Sequence, residues 1–179
     1  IIFSLAFITM FTASLVAKDR CSSLTARLGV SPMKSINYIL GYILSVIPLI
    51  LIQNILFFIT AIILGLKFSS NAIYTTLAVI PISILFISLG ILIGTITTEK
   101  SSSGISSIIV QLVAFTSGMY FTTDMVGSTF STICHILPFE STLNITKDIL
   151  NSNYNNILPS ILIVGIYIVI VIILTIILF

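Results

Sequence analysis

Charged residues divide this chain into long uncharged stretches. Lys18, Asp19, Arg20, Arg27 and Lys34 cluster early, and Lys67 stands alone. Glu99 and Lys100 are adjacent, and Asp124, Glu140, Lys147 and Asp148 share a later region. The stretches between them are apolar on consecutive residues and approach the roughly 20 positions a helix needs to cross a bilayer. This pattern predicts spanning helices over 1–17, 36–66, 72–98, 102–121 and 157–179, with a basic loop at 18–35. Barrel strands would instead alternate apolar and polar residues over about ten positions. Helices also satisfy their own backbone groups in hydrocarbon. Pro48 and Pro81 fall inside the second and third stretches, where they are expected to kink a helix rather than end it.

Residues 122–156 do not read as a simple polar loop. Met125, Val126, Phe130, Ile133, Ile136 and Leu137 recur at helical spacing, and after Pro138-Phe139-Glu140 a second short pattern runs through Leu143 and Ile149. The expectation is a pair of short amphipathic helices folded back onto the membrane surface, closed by the polar turn Asn151-Ser152-Asn153-Tyr154-Asn155-Asn156.

Composition makes lipid the solvent for most side chains. The chain is 58% hydrophobic and 7% charged, whereas about a quarter of an ordinary soluble chain is charged; its mean hydropathy is +1.27. The first stretch lacks the basic start and small-residue cleavage site of a secretory signal. It is read as a helix cut short, so that 1–179 is a single transmembrane domain truncated at its N-terminus.

The distribution of charge orients the helices. With the 18–35 loop in the cytoplasm, that side holds Lys18, Arg20, Arg27, Lys34 and Lys100, and the other holds Lys67 and Lys147 with three of the five acids. Cationic residues favour the cytoplasmic side, which places the C-terminus inside a cell membrane and the 122–156 region outside. Cys21 and Cys134 then lie on opposite sides and are read as free thiols. His135 beside Cys134 does not make a zinc signature, and no metal site is expected.

Three motifs in order resemble the membrane-domain subunits of type-2 ABC exporters. Arg27-Leu28-Gly29-Val30-Ser31-Pro32, leading to a helix with Gly41, is similar to the family's loop ending in Val-Ser-Pro. Thr116-Ser117-Gly118-Met119-Tyr120-Phe121 resembles its Ser-Gly-aromatic helix exit, and Ile136-Leu137-Pro138-Phe139 its external Leu-Pro motif. The resemblance implies an all-α transmembrane fold in which the five visible spans are helices two to six of a six-helix domain, with a short cytoplasmic coupling helix and external re-entrant helices. It further implies that Asp19, Arg20, Arg27, Leu28, Val30, Ser31 and Pro32 couple to an ABC ATP-binding subunit. That partner would carry ATP and Mg, while this chain binds no cofactor of its own. A second membrane subunit, identical or different, would complete a dimer in the lipid bilayer. The family often has an acidic residue and Gly-Thr upstream in this loop, where Ser22-Ser23-Leu24 stands here; Asp19 is the nearest acidic counterpart. Without the resemblance, the loop's charges would simply anchor helix ends at anionic headgroups.

The chemistry missing from the sequence narrows the function. The predicted spans hold no Asp, Glu, Lys or Arg, although ion-coupled carriers bind and release charge at membrane depth. No Gly-rich phosphate loop followed by Lys-Ser/Thr occurs, so the stretch supplies no ATP site and is not expected to be an enzyme. Nothing points to nucleic acid. Gly90 and Gly94 form a GxxxG pattern that lets helix backbones approach closely. Ser103, Ser107 and Gln111 recur every four residues, with Gly118 near the same face. Gln53 and Asn54 lie deep in the second helix and must find hydrogen-bond partners. Each of these could line a path, but packing between helices is the simpler reading for any one of them. The expected function is a permease subunit moving an amphipathic or lipid-like cargo (a drug, an antimicrobial peptide or a lipid-linked compound) out of the cell. A non-transporting membrane scaffold and an ion-coupled secondary transporter are the alternatives.

Overall fold

The computed structural model describes residues 1–22, 35–65, 70–120, 128–151 and 157–178. Among them the chain forms seven α-helices and no strand. These are α1 (Ile2–Cys21), α2 (Ser35–Ile63), α3 (Ser70–Ile96), α4 (Glu99–Thr116), α5 (Ser128–Ile136), α6 (Pro138–Leu150) and α7 (Ile157–Leu178).

Four of them, α1, α2, α3 and α7, are long and apolar enough to cross a membrane. The remaining predicted span, 102–121, is also helical, but α4 does not meet that measure: Glu99, Lys100, five serines and Gln111 dilute its 18 residues. Its limits also differ from 102–121. It starts earlier because Thr98 and Ser101 form a capping box, with the Thr98 amide donating to Ser101 Oγ at 3.2 Å. It ends earlier because Gly118 turns left-handed, at φ 71°, directly after the Ser117 cap. The first helix overruns its predicted limit, which puts Lys18, Asp19 and Arg20 on its last turn rather than in the loop. Nothing in that sequence breaks a helix, and its cations suit the negative end of the helix dipole. Pro48 and Pro81 sit within unbroken helices.

The central element is α3. It packs against α1, α2, α6 and α7, while α1 also lies against α4. Val79, Ile82, Leu85, Phe86, Ile87 and Ile91 of α3 are buried, together with Leu5, Ala6, Ala13 and Val16 of α1. By contrast α2 and α7 turn much of their surface outward, Leu44, Ile52, Ile166 and Ile177 among it. Many hydroxyls within these apolar helices are satisfied locally: Thr76 donates to the Ala72 carbonyl at 2.9 Å and Thr175 to that of Val171 at 2.7 Å. Such back-bonding lets Ser and Thr sit in a helix without a distant partner.

The region after α4 contains the expected pair of short helices. Pro138 occupies the first turn of α6, where its missing N–H costs nothing. Side chains from the long helices close both C-termini: Tyr167 Oη donates to the Ile136 carbonyl at 2.9 Å, and Asn71 Nδ2 to the Leu150 carbonyl at 3.1 Å. Phe139 reaches into the core, its ring centroid 6.1 Å from that of Phe86.

Candidate functional site

Small residues set how closely the helices approach. A Cβ at Gly90 would lie 2.7 Å from the Thr9 carbonyl oxygen and 2.8 Å from Thr12 Cβ. One at Gly94 would lie 2.7 Å from the Ala13 carbonyl oxygen and from Val16 Cβ. The two glycines therefore bring α3 against the backbone of α1 inside one chain. Thr9 Oγ1 fastens the same seam by donating to the Phe86 carbonyl at 3.0 Å.

Gln53 and Asn54 are neighbours in α2 with different surroundings. Asn54 is 1% exposed, and its Nδ2 has no hydrogen-bond partner among the described residues. Gln53 faces a shallow groove of about 380 Å³ between α1 and α2, lined by Phe7, Ile8, Phe11, Leu49, Ile52 and Leu56. Its amide is the polar group of an otherwise apolar lining. Phe7 and Phe11 are about half exposed and lie one turn apart on one face of α1, continuing from Phe3.

The serines of α4 divide between two faces. Ser103, Ser107 and Gln111 are exposed, whereas Ser102 and Ser106 are buried together with Val110, Val113 and Ala114. Ser107 Oγ donates to the Ser103 carbonyl at 2.7 Å and lies 3.8 Å from Met10 Sδ of α1. The Oγ atoms of Ser102 and Ser106, like Oγ1 of Thr12, have no partner among the described residues. Gly118 serves to end α4 and does not extend the serine face. The buried hydroxyls were missed in the sequence because 102, 106 and 103, 107 have the same four-residue spacing. Only the seat of α4 against α1 separates them.

Arg27, Leu28, Val30, Ser31 and Pro32 lie outside the described residues. Of the predicted coupling residues, Asp19 and Arg20 are described, and they part company. Arg20 is exposed. Asp19 Oδ2 accepts a hydrogen bond of 2.5 Å from Tyr42 Oη, which in turn accepts one of 3.0 Å from Tyr38 Oη. The two tyrosine rings meet edge to face at 4.7 Å. Neither tyrosine was singled out in the sequence; their signal is a Tyr-x-x-x-Tyr pair in the helix that follows the basic loop.

At the other end of the molecule, His135 Nδ1 lies 3.2 Å from Glu140 Oε2, bridging α5 and α6. Cys134 is buried and Cys21 exposed, and both are free thiols. Burial and, to a lesser degree, the Glu140 carboxylate push the Cys134 thiol above its ordinary pKa. Among the described residues no group of three His, Cys, Asp or Glu side chains gathers to hold a metal.

A protein-family model described as ABC-2 family transporter protein matches residues 1–177. No curated relative and no solved structure matches.

Proposed function

The chain belongs to the ABC-2 family of transporter proteins, and from that membership we propose that it is the permease subunit of an ATP-driven exporter carrying an amphipathic or lipid-like cargo outward. The observation that carries this reading is the family match along nearly the whole chain. A multi-pass membrane protein of this family works with an ATP-binding partner, and that partner holds ATP and Mg. The basic segment 18–35 docks on it, with Arg27, Leu28, Val30, Ser31 and Pro32 forming the contact and Arg20 beside it. The C-terminus lies in the cytoplasm.

In this reading α4 is the fifth span of a six-helix domain. Its 18 residues extend about 27 Å at 1.5 Å per residue, close to the thickness of the hydrocarbon core. Its exposed Ser103, Ser107 and Gln111 would be poorly served by lipid, so they face a second membrane subunit or the path between the two. The groove holding Phe7, Phe11 and Gln53 offers apolar surface with one amide, which suits a largely apolar cargo on a path that opens laterally to lipid. The helices α5 and α6 form the external re-entrant pair.

Co-expression with an ABC ATP-binding subunit tests this reading. A stable complex that drives ATP-dependent movement of a fluorescent amphipath across proteoliposomes is expected. A chain that inserts normally yet neither binds that subunit nor alters its ATP hydrolysis would rule the permease reading out.

A further inference from the structure

Helices α1 and α2 flank the basic loop, yet they barely pack on one another: α1 lies on α3 and α4, and α2 on α3. Beside the end of α1 lies an open cleft of about 350 Å³, lined by Leu15 and Asp19 of α1 and by Asn37, Gly41 and Ser45 of α2. A Cβ on Gly41 would meet nothing within 4 Å. The apolar contact that normally holds adjacent helices together is therefore thin here. A hydrogen bond crosses the gap instead, from Tyr42 to the Asp19 carboxylate, and Tyr38 backs it within α2 by donating to Tyr42.

We propose that Asp19, Tyr42 and Tyr38 are positioning residues that lock the end of α1 to the start of α2, so that a displacement of the loop between them moves both helices as one body. The proposal rests on the permease reading and gives that loop a defined mechanical output. Three features support it. Asp19 lies two residues before the end of α1, so its carboxylate is anchored next to the loop. A hydrogen bond to an ionised carboxylate is about twice as strong as a neutral one. Tyr42 takes part in both bonds, and the edge-to-face contact with Tyr38 one turn away holds its ring in place. Asp19 thus acts inside the membrane subunit, whereas Arg20 on the same turn is exposed.

The test uses the full chain with its ATP-binding subunit in lipid nanodiscs. Spin labels are placed on the exposed native Cys21 and on Leu44→Cys, an outward position of α2; Cys134 is replaced by Ala. With the lock intact, the distance between labels forms one narrow distribution that ATP plus vanadate leaves unchanged. Tyr42→Phe should broaden that distribution and make it respond to nucleotide. The membrane subunit's stimulation of ATP hydrolysis should fall about tenfold, with the KM for ATP unchanged. Asp19→Asn, which keeps an acceptor oxygen for Tyr42, should do less, and Tyr38→Phe least. A narrow, nucleotide-insensitive distribution together with native stimulation in Tyr42→Phe would overturn the proposal. Failure of the unsubstituted chain to bind the ATP-binding subunit would instead strike at the permease reading, and the distance distribution without partner would still report on the lock.

Discussion

Helices α3 and α7 are both long, apolar and free of charge, yet 61% of the best spanning window of α3 is buried inside the chain and only 17% of that of α7. The more apolar of the two is the one left outside. Their sequences explain it. Helix α7 is mostly Ile, Leu and Val, whose broad side chains keep neighbouring backbones apart and are at ease in lipid. Helix α3 interrupts the same kind of residues with Ser83, Ser88, Gly90, Gly94 and Thr95, and Gly90 and Gly94 are where α1 comes in. Association within a bilayer draws no hydrophobic gain, so close van der Waals approach and hydrogen bonds decide which helices meet. Apolarity places a helix in the membrane, and small residues place it in the protein.

The strongest way to break this contrast is to fill the seam. Gly90→Leu or Gly94→Leu drives side-chain atoms into the α1 backbone and should cost about 3 kcal/mol each, the upper part of the range for overpacking. Unfolding of the purified chain in detergent, followed by circular dichroism, measures it. Ile177→Ala on α7, where Ile177 is 73% exposed, should change the same midpoint by no more than about 0.5 kcal/mol. Equal effects at the two sites would remove the distinction.

Asn54→Leu gives a smaller effect of informative sign. Among the described residues the buried Nδ2 is unpartnered, and replacing such a group by an apolar one of similar size should stabilise by about 1 kcal/mol. If a second subunit supplies the partner, the variant will instead weaken the dimer, which sedimentation in detergent would detect.

The two thiols supply the mildest test. At neutral pH, Cys21 should react readily with maleimide and Cys134 should not. Reaction needs the thiolate. Cys134, whose pKa is raised by burial, should therefore gain reactivity only as pH rises above the ordinary thiol range. Mass spectrometry of the labelled peptides reads both. Matching rates would mean that α5 opens away from its neighbours.

Much of this architecture was legible in the residue pattern. Uncharged runs found the helices to within a few positions, because charge is costly in hydrocarbon and so marks where a span stops. The pattern erred where local chemistry overrode it: α1 continues through Lys18, Asp19 and Arg20, and α4 stops at the left-handed Gly118. The GxxxG motif announced a close approach without saying to which helix. Hidden altogether were features that depend on rotation about a helix axis. Ser102 and Ser103 are adjacent and chemically identical, yet one is buried and the other exposed. The bond from Tyr42 to Asp19 joins residues 23 apart across a gap, and no periodicity within either helix encodes it.

The central claim is that this chain takes its driving force from an ATP-binding subunit through the segment after α1. The most direct measurement is ATP hydrolysis by that subunit in nanodiscs, with the unsubstituted chain and with Arg27→Glu combined with Leu28→Asp. The account predicts stimulation by the unsubstituted chain and its loss in the double variant, which should still insert and keep its helical content. Equal binding and equal stimulation by the two chains would contradict it.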